Sequence, residues 1–352
     1  MTKARIAVIG CGNWAVEAHL PGLASDPRAE VVGLADPVAS NLGYAAQRFS
    51  VRHTFSDARR LLQATQPDGV VVATPPVSHA EVGMLALDAG AHLLVEKPMV
   101  ITPQSGRALI QAANEANREI IVGHPWHYSA QALALRARLG GDVIGEIQAV
   151  ACVFGSSVLN YYSGDTDSDR PAEGYAIAAR PETYSDPVVS GGGQGQVQLS
   201  HAVALLLFLT GLTPTRVSAF TRSLGLDVDV IDAVSVAFAG GALGTFMTTG
   251  GVPPGLPRPA ELRLFGGSGY VAWDFRSGHA TVVSTRGRPE VLTSPDPYSC
   301  YPRYAPVRNL VEVVLGLAPS GSPPDIGLRT ASFLAAMYQS AAQNGTACEV
   351  ED

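Results

Sequence analysis

A short apolar run, Arg5-Ile6-Ala7-Val8-Ile9, passes directly into Gly10-Cys11-Gly12-Asn13-Trp14-Ala15, a helical stretch to about residue 24, a second apolar run over 31–35, and Asp36. This order of strand, glycine turn, helix, strand and acid restricts the fold more than any other feature of the chain, because each part meets a separate physical demand. Gly10 permits a tight turn out of the strand. Gly12 lets the backbone come close to a ligand, and the helix behind it offers unpaired N–H groups and a positive dipole end to an anion. Ala15 takes the third position, which needs a small residue where helix packs on strand. Asp36 ends the second strand, where a carboxylate can accept from both hydroxyls of a ribose. Together these parts describe a nicotinamide dinucleotide site, with Asn13 and Trp14 in its turn. A 2′-phosphate is repelled by Asp36, and the following Pro37-Val38-Ala39-Ser40-Asn41 brings no Arg or Lys, so NAD is expected rather than NADP. Glycine is common here, 37 of 352 residues, so the setting of the motif and not its spelling carries the inference.

Strands and helices go on alternating through the first third. Helices are expected over 38–49, 57–65 and 79–89. A fully buried strand over 69–73 ends at Thr74-Pro75-Pro76, and another over 91–95 leads into Glu96-Lys97-Pro98. Thr102 caps the next helix with Pro103 at its first position, and a strand over 119–122 closes the series. The pattern is a doubly wound parallel α/β domain over 1–124, in which ligands bind beyond the carboxyl ends of the strands. From Pro125 the pattern changes. A helix over 129–139 leads into hairpins over 233–249 and 261–275, so 125–352 reads as a second α/β domain with a mostly antiparallel sheet and a last helix over about 327–343. Residues 155–195 form a long Gly-, Ser-, Asp- and Tyr-rich connection of the kind that often carries function.

Composition narrows the function classes. Hydrophobic residues are 46% and charged residues 16%, a globular balance. A net charge of −7 without a basic run argues against nucleic acid as a partner. The apolar stretch 202–209 is far too short to span a bilayer. The N-terminus runs straight into the first strand, and the four cysteines, Cys11, Cys152, Cys300 and Cys348, fit no metal spacing. A cytoplasmic, reduced protein without metal is expected.

Val95-Glu96-Lys97-Pro98 stands at a strand end on the cofactor edge. Oxidising an alcohol to a carbonyl needs a base for the hydroxyl proton as hydride leaves, and a lysine whose pKa is lowered by desolvation can serve. Glu96 can orient it or contact the cofactor. Alone, the same residues read as a solvated charge pair before a turn; beneath a dinucleotide motif they read as catalytic.

With these motifs the chain resembles the glucose–fructose oxidoreductase, inositol dehydrogenase and rhizopine-catabolism (Gfo/Idh/MocA) family. The resemblance rests on Gly10-Cys11-Gly12, Ala35-Asp36-Pro37, Ala73-Thr74-Pro75 with His79, Val95-Glu96-Lys97-Pro98, and Gly191-Gly192-Gly193 followed by His201. It implies a Rossmann domain joined to an α/β domain with an open sheet, NAD(P)-dependent redox chemistry on sugars or polyols, and homodimers or homotetramers formed through that sheet. It implies Lys97 as the catalytic lysine and His201 as the active-site histidine. From their place at the strand ends, Thr74, Pro75, His79 and His124 are expected on the cofactor side. On its own residues, His201 also reads as a helix-start histidine beside 202–209.

Two departures stand out. The family usually has a carboxylate four residues before that histidine, one helical turn away on the same face; here it is Val197. Gln198 and Tyr184 can supply hydrogen bonds in its place. In His124-Pro125-Trp126-His127-Tyr128, where the family often has an Arg-Phe pair, the histidines and Tyr128 either face nicotinamide and substrate or form an aromatic hinge. Tyr161, Tyr162, Arg170, Arg180, Arg303 and Tyr304 can line a polar pocket. The leading reading is an NAD-dependent dehydrogenase of a sugar or cyclic polyol. Beside it stand a glycoside-cleaving enzyme that recycles its NAD through transient oxidation, and a cofactor-binding sensor without turnover.

Overall fold

The computed structural model describes residues 3–165, 176–294 and 296–351. Two compact units divide the chain, and the division is not a single cut. The first holds Met1–Pro125, Asp165–Thr183 and Arg303–Leu328; the second holds Trp126–Gly164, Tyr184–Pro302 and Arg329–Asp352.

The first unit is built on six parallel strands, β1 (Ala4–Ile9), β2 (Ala29–Ala35), β3 (Thr54–Phe55), β4 (Gly69–Val72), β5 (His92–Glu96) and β6 (Ile120–Gly123), in the order β3-β2-β1-β4-β5-β6. The inner strands are apolar on both faces because helices cover both sides: all four residues of β4 and of β6 are buried. The order reverses between β1 and β4, which pair from Ile6↔Gly69 to Ile9↔Val72. That reversal opens a crevice beyond their carboxyl ends. Gly10, Asp36, Thr74, Glu96 and His124 all lie at this edge. The helices begin where expected. The Asp57 side chain caps the Ala58–Thr65 helix, and Thr102 caps the Pro103–Ala116 helix through the Ser105 N–H.

The chain returns to this unit after leaving it. The Ala305–Val314 helix buries Val307, Leu310, Val311 and Val313 in one core with Ile6, Val8, Val71, Leu94 and Ile121. The sequence alone, cut once between 124 and 125, places this helix in the second domain. Its apolar face fits the first sheet, and that is a long-range fact invisible in local pattern.

The second unit carries nine strands: β7 (Ile147–Gly155), β8 (Pro214–Arg222), β9 (Ile231–Phe238), β10 (Leu243–Thr249), β11 (Ala260–Gly266), β12 (Gly269–Asp274), β13 (His279–Ser284), β14 (Glu290–Leu292) and β15 (Cys348–Glu349). Their order is β14-β13-β12-β11-β7-β10-β9-β8-β15, antiparallel throughout except for β7 with β10. The strands alternate buried and exposed residues, as in β10, because one face is covered and the other is open. On the covered face, Phe246 of β10 meets Phe333 of the Pro324–Ala342 helix edge to face at 5.5 Å. The Ser200–Thr210 helix is buried at ten consecutive positions, Ser200 to Leu209. The expected hairpins are β9–β10 and β11–β12.

Candidate active site

At the carboxyl edge of the first unit, Gly10 adopts φ +91° and donates its N–H to the Ala35 carbonyl at 2.8 Å. A Cβ there would stand 2.5 Å from the Ala73 carbonyl oxygen, so only glycine fits. Gly12 is the opposite case. A Cβ built on it meets nothing within 4 Å, so its backbone faces unfilled space, as close approach of a pyrophosphate requires. The Asp36 carboxylate is fixed by the Cys11 N–H at 2.7 Å and the Val38 N–H at 2.7 Å, one on each oxygen. A carboxylate has about four acceptor positions, so capacity remains for ribose hydroxyls. Burial and the Asp36 charge push the Cys11 thiol up to about 12, leaving an inert packing group. These residues fit NAD.

The neighbouring loops are tied together. Ser78 donates its hydroxyl to Thr74 Oγ1 at 2.8 Å. His79, expected as a direct cofactor contact, places Nδ1 2.8 Å from the Pro98 carbonyl oxygen and Nε2 2.8 Å from that of Thr74. Both ring nitrogens therefore engage main chain, and the ring is 1% exposed. In this geometry it joins the loop after β4 to the loop after β5. Pro75 and Pro98 flank these contacts, and the Lys97–Pro98 peptide bond is cis.

Glu96 is buried at the end of β5. Its Oε1 accepts from His19 Nε2 at 2.9 Å and its Oε2 from the Lys97 N–H at 3.2 Å. Its carboxylate lies over Gly123, whose absent Cβ would stand 2.3 Å from Oε1. Burial pushes the Glu96 carboxyl up, but the His19 hydrogen bond and the His19 and Lys97 charges outweigh it and leave it below its usual value. Burial brings the Lys97 ammonium down to about 8, with Glu96 opposing. Burial takes His124 down to about 3, so its imidazole is neutral. His79 is also lowered, by burial first. The edge thus holds the Asp36 and Glu96 carboxylates, one lysine poised between its two states, and in His124 a neutral imidazole.

His19 has no place in the sequence reading. It closes a π-helical turn, Ala15–His19, in which the Leu20 N–H reaches back to the Ala15 carbonyl. Such turns are frequent at functional sites. The available signal was a histidine among Ala15, Val16 and Ala18 on a buried helix face.

In the second unit, His201 follows a second π-helical turn, Gly195–Leu199. Its ring meets Trp126 edge to face at 5.1 Å and Tyr301 at 6.4 Å. Trp126 anchors this group, packing on Tyr301 at 4.7 Å and Phe275 at 5.0 Å and donating Nε1–H to the Phe275 carbonyl at 3.2 Å. His127, expected to face substrate or form a hinge, is buried and stacked on Phe208 at 4.3 Å, with the Arg136 guanidinium 4.3 Å from the same ring. Tyr128 is half-buried.

The π-helical turn also alters the reading of Val197. Position 197 lies inside that turn, two residues before it passes into the helix that carries His201. Val197 packs with Tyr162, Val228 and Val230, and Tyr184 lies against that cluster. Tyr184 also meets Tyr161 edge to face at 5.3 Å. Gln198 is only half-buried, whereas the neighbouring amides of Gln194 and Gln196 are buried. Gln194 Oε1 accepts from the hydroxyls of Tyr162 at 3.0 Å and Ser156 at 3.1 Å, and its Nε2 donates to Thr248. Among the other residues offered for a polar pocket, Arg180 pairs with Glu182, Arg303 lies 5.9 Å from the Tyr304 ring, and Arg170 lies outside the described residues. Among the described residues no cluster of three or more His, Cys, Asp or Glu is arranged to hold a metal ion, and no helix is long and apolar enough to cross a membrane.

Comparison with known proteins agrees with this geometry. Residues 4–124 match the family model described as "Oxidoreductase family, NAD-binding Rossmann fold", and residues 132–272 match the "GFO/IDH/MocA C-terminal domain". D-glucoside 3-dehydrogenase of Escherichia coli (strain K12) is 28% identical over 143 residues, 41% of each chain. The chain spans about two fifths of the length of the curated relatives it matches. The fold is that of an oxidoreductase domain protein from Kribbella flavida, with TM-score 0.85, 22% identity and 100% of both chains covered. It is also that of an inositol dehydrogenase homolog from Azotobacter vinelandii, solved with NADH and myo-inositol, with TM-score 0.80, 16% identity and 99% and 98% coverage.

Proposed function

The chain belongs to the Gfo/Idh/MocA family of NAD-binding oxidoreductases, and on that premise we propose that it moves a hydride between NAD and a hydroxyl-bearing carbon of a sugar or cyclic polyol, with Lys97 as the acid/base group. The observation that carries this reading is the place of Lys97: it directly follows buried Glu96 at the carboxyl end of β5 and donates its N–H to Glu96 Oε2, and burial there brings its ammonium down to about 8. Asp36 holds the ribose and the main chain at Gly12 receives the pyrophosphate. NAD, when bound, accepts or returns the hydride. Neutral Lys97 takes the hydroxyl proton as the carbon becomes a carbonyl, and its ammonium gives that proton back in the reverse direction. His124, neutral, keeps a second positive charge away from this edge. On the second unit, His201, Tyr128 and Tyr184 are the proposed substrate-facing side chains, with Gln198 assisting. The four free, buried cysteines fit a reducing compartment, which we take to be the cytoplasm.

The test is NADH absorbance with a panel of aldoses, glucosides and inositols. Turnover on at least one of them is expected, with kcat lowered about 10²- to 10⁴-fold in Lys97→Ala and NAD affinity retained. NAD binding without turnover on the whole panel would favour the sensor instead. Full activity in Lys97→Ala would remove Lys97 from the chemistry.

One observation favours a second reading. Position 197 is apolar and packed in an apolar cluster, and the relative from Escherichia coli is named for a glucoside. Glycoside cleavage with recycled NAD oxidises a ring hydroxyl, loses the acidified neighbouring C–H, eliminates the aglycone, adds water and returns the hydride. Aglycone released from p-nitrophenyl glycosides without net NADH distinguishes it from the first.

A further inference from the structure

Four consecutive main-chain N–H groups, from Gly193 to Gln196, point away from any helical partner, because they stand where the helix bearing His201 begins. Such groups are the unsatisfied donors of a helix start, and they draw in negative charge. Here they are met by residues distant in sequence. Gly193 donates to Asp229 Oδ1 at 2.8 Å, Gln194 to the Asp229 carbonyl at 2.8 Å, and Gly195 to Asp229 Oδ2 at 2.7 Å. Gln196 donates to the Tyr338 hydroxyl at 3.1 Å, which itself donates to Asp229 Oδ1 at 2.9 Å. The approach is close enough that a Cβ on Gly193 would lie 2.0 Å from the Asp229 carbonyl oxygen.

Asp232 stands beside this cap, on the covered face of β9. It is 0% exposed, and neither of its carboxylate oxygens meets a donor. Two buried carboxylates side by side cannot both be ionised without a cation between them. Asp229 carries the charge, since three N–H and O–H groups point at its side chain. Asp232 therefore carries a proton, and its hydroxyl has Asp229 as its acceptor.

We propose that Asp229 and Asp232 act as one unit, a carboxylate backed by a carboxylic acid, that caps the Gly193–Gln196 segment and so positions His201 through the π-helical turn. Burial, then the Asp229 charge and hydrogen bond, push the Asp232 carboxyl up to about 9, in keeping with this division. The other titratable groups facing the pair are the hydroxyls of Tyr162 and Tyr338, both raised by burial and by the two acids. The role in positioning rests on the proposed substrate-facing part of His201. The cap itself does not, and its test needs no turnover.

The two acids respond to amide substitution in opposite ways. Asn at 232 keeps a donor toward Asp229, whereas Asn at 229 loses the charge and one acceptor. Folded Asp232 binds a proton that the unfolded chain releases near its ordinary value of 3.8. Wild-type stability therefore falls as pH rises from about 4 to about 9, by the linkage of proton binding to folding. Asp232→Asn lacks that loss. Full-length wild type, Asp232→Asn and Asp229→Asn are compared by melting temperature from pH 5 to 9 and by amide hydrogen exchange of the peptide containing 193–196. The Tm of Asp232→Asn relative to wild type should climb with pH, and its 193–196 exchange should stay as slow as in wild type. Asp229→Asn should exchange about tenfold faster or more there, and Tyr338→Phe should do so at Gln196. A Tm difference that is flat with pH, or equal exchange in the two Asn variants, overturns the proposal.

Discussion

His19 and Glu96 meet side chain to side chain at 2.9 Å in the interior of the first unit. One is on the helix that follows the glycine turn, and the other is the residue before Lys97. Glu96 is ionised, so His19 Nε2 carries the proton between them. Glu96, whose charge acts on Lys97, is thus held by the helix that follows Gly10-Cys11-Gly12.

The first consequence concerns the proton affinity of Lys97. The Glu96 charge raises it against burial. Removing that charge in Glu96→Gln should lower the Lys97 midpoint below about 8. The measurement is direct because the chain has only two lysines, Lys3 and Lys97. Trace acetylation across pH, read by peptide mass spectrometry, reports both, with exposed Lys3 as the internal reference. A Lys97 midpoint that does not move in Glu96→Gln rules out Glu96 as the charge that sets it.

The same midpoint governs turnover. Oxidation needs neutral Lys97, so kcat/KM for alcohol oxidation should rise with pH and level off above about 8. Carbonyl reduction needs the ammonium and should fall through the same range. Initial rates in both directions from pH 6 to 10 check this. Profiles that rise or fall together would mean that another group sets the pH dependence.

Gly10 and Gly12 separate folding from binding. Gly10→Ala forces a side chain at φ +91° into the Ala73 carbonyl, so it should cost stability, about 1–3 kcal/mol from the backbone strain and more from the clash. Gly12→Val points into open space and should leave the melting temperature within about 2 °C of wild type, while NAD binding by calorimetry weakens at least about tenfold. If Gly12→Val melts early and Gly10→Ala does not, the assignment of the turn is wrong.

What could be read in the sequence was what is local. The glycine turn, Asp36 and Glu96-Lys97-Pro98 are each contained within a few residues of a strand end, and hydrophobic period places the strands. The elements that escaped notice depend on contacts across the chain or on helix register. His19 and Val197 both sit in π-helical turns, which local apolar spacing does not announce. Asp229 reaches back 34 to 36 residues to cap Gly193 to Gly195, with nothing local to announce it. Trp126 was visible only as one aromatic among others, and the Ala305–Val314 helix shows its place only once the first sheet exists to receive it.

The open face of the nine-stranded sheet yields the last prediction. Cross-strand register sets Phe220 opposite Ala233, Ala233 opposite Met247, and Met247 opposite Val153, so these four form one row. Leu243, Ala149, Phe265 and Tyr270 form a second row by the same rule. Within these rows Phe220 is 63% exposed, Leu243 62%, Met247 48%, Val153 43% and Phe265 41%. The two rows flank a row of Ser218, Ser235, Thr245, Ala151 and Arg263, so the face carries two apolar stripes with a largely polar one between them, unlike apolar residues scattered singly. We propose that a second copy of the chain covers this face, giving a homodimer or homotetramer. Light scattering after size exclusion should give a multiple of 36.7 kDa for wild type. Leu243→Glu with Met247→Glu places charge in both rows while leaving the buried face of β10 intact, and should give the monomer mass with NAD binding retained. A wild-type protein that runs as a monomer at all concentrations would remove the oligomer from this reading.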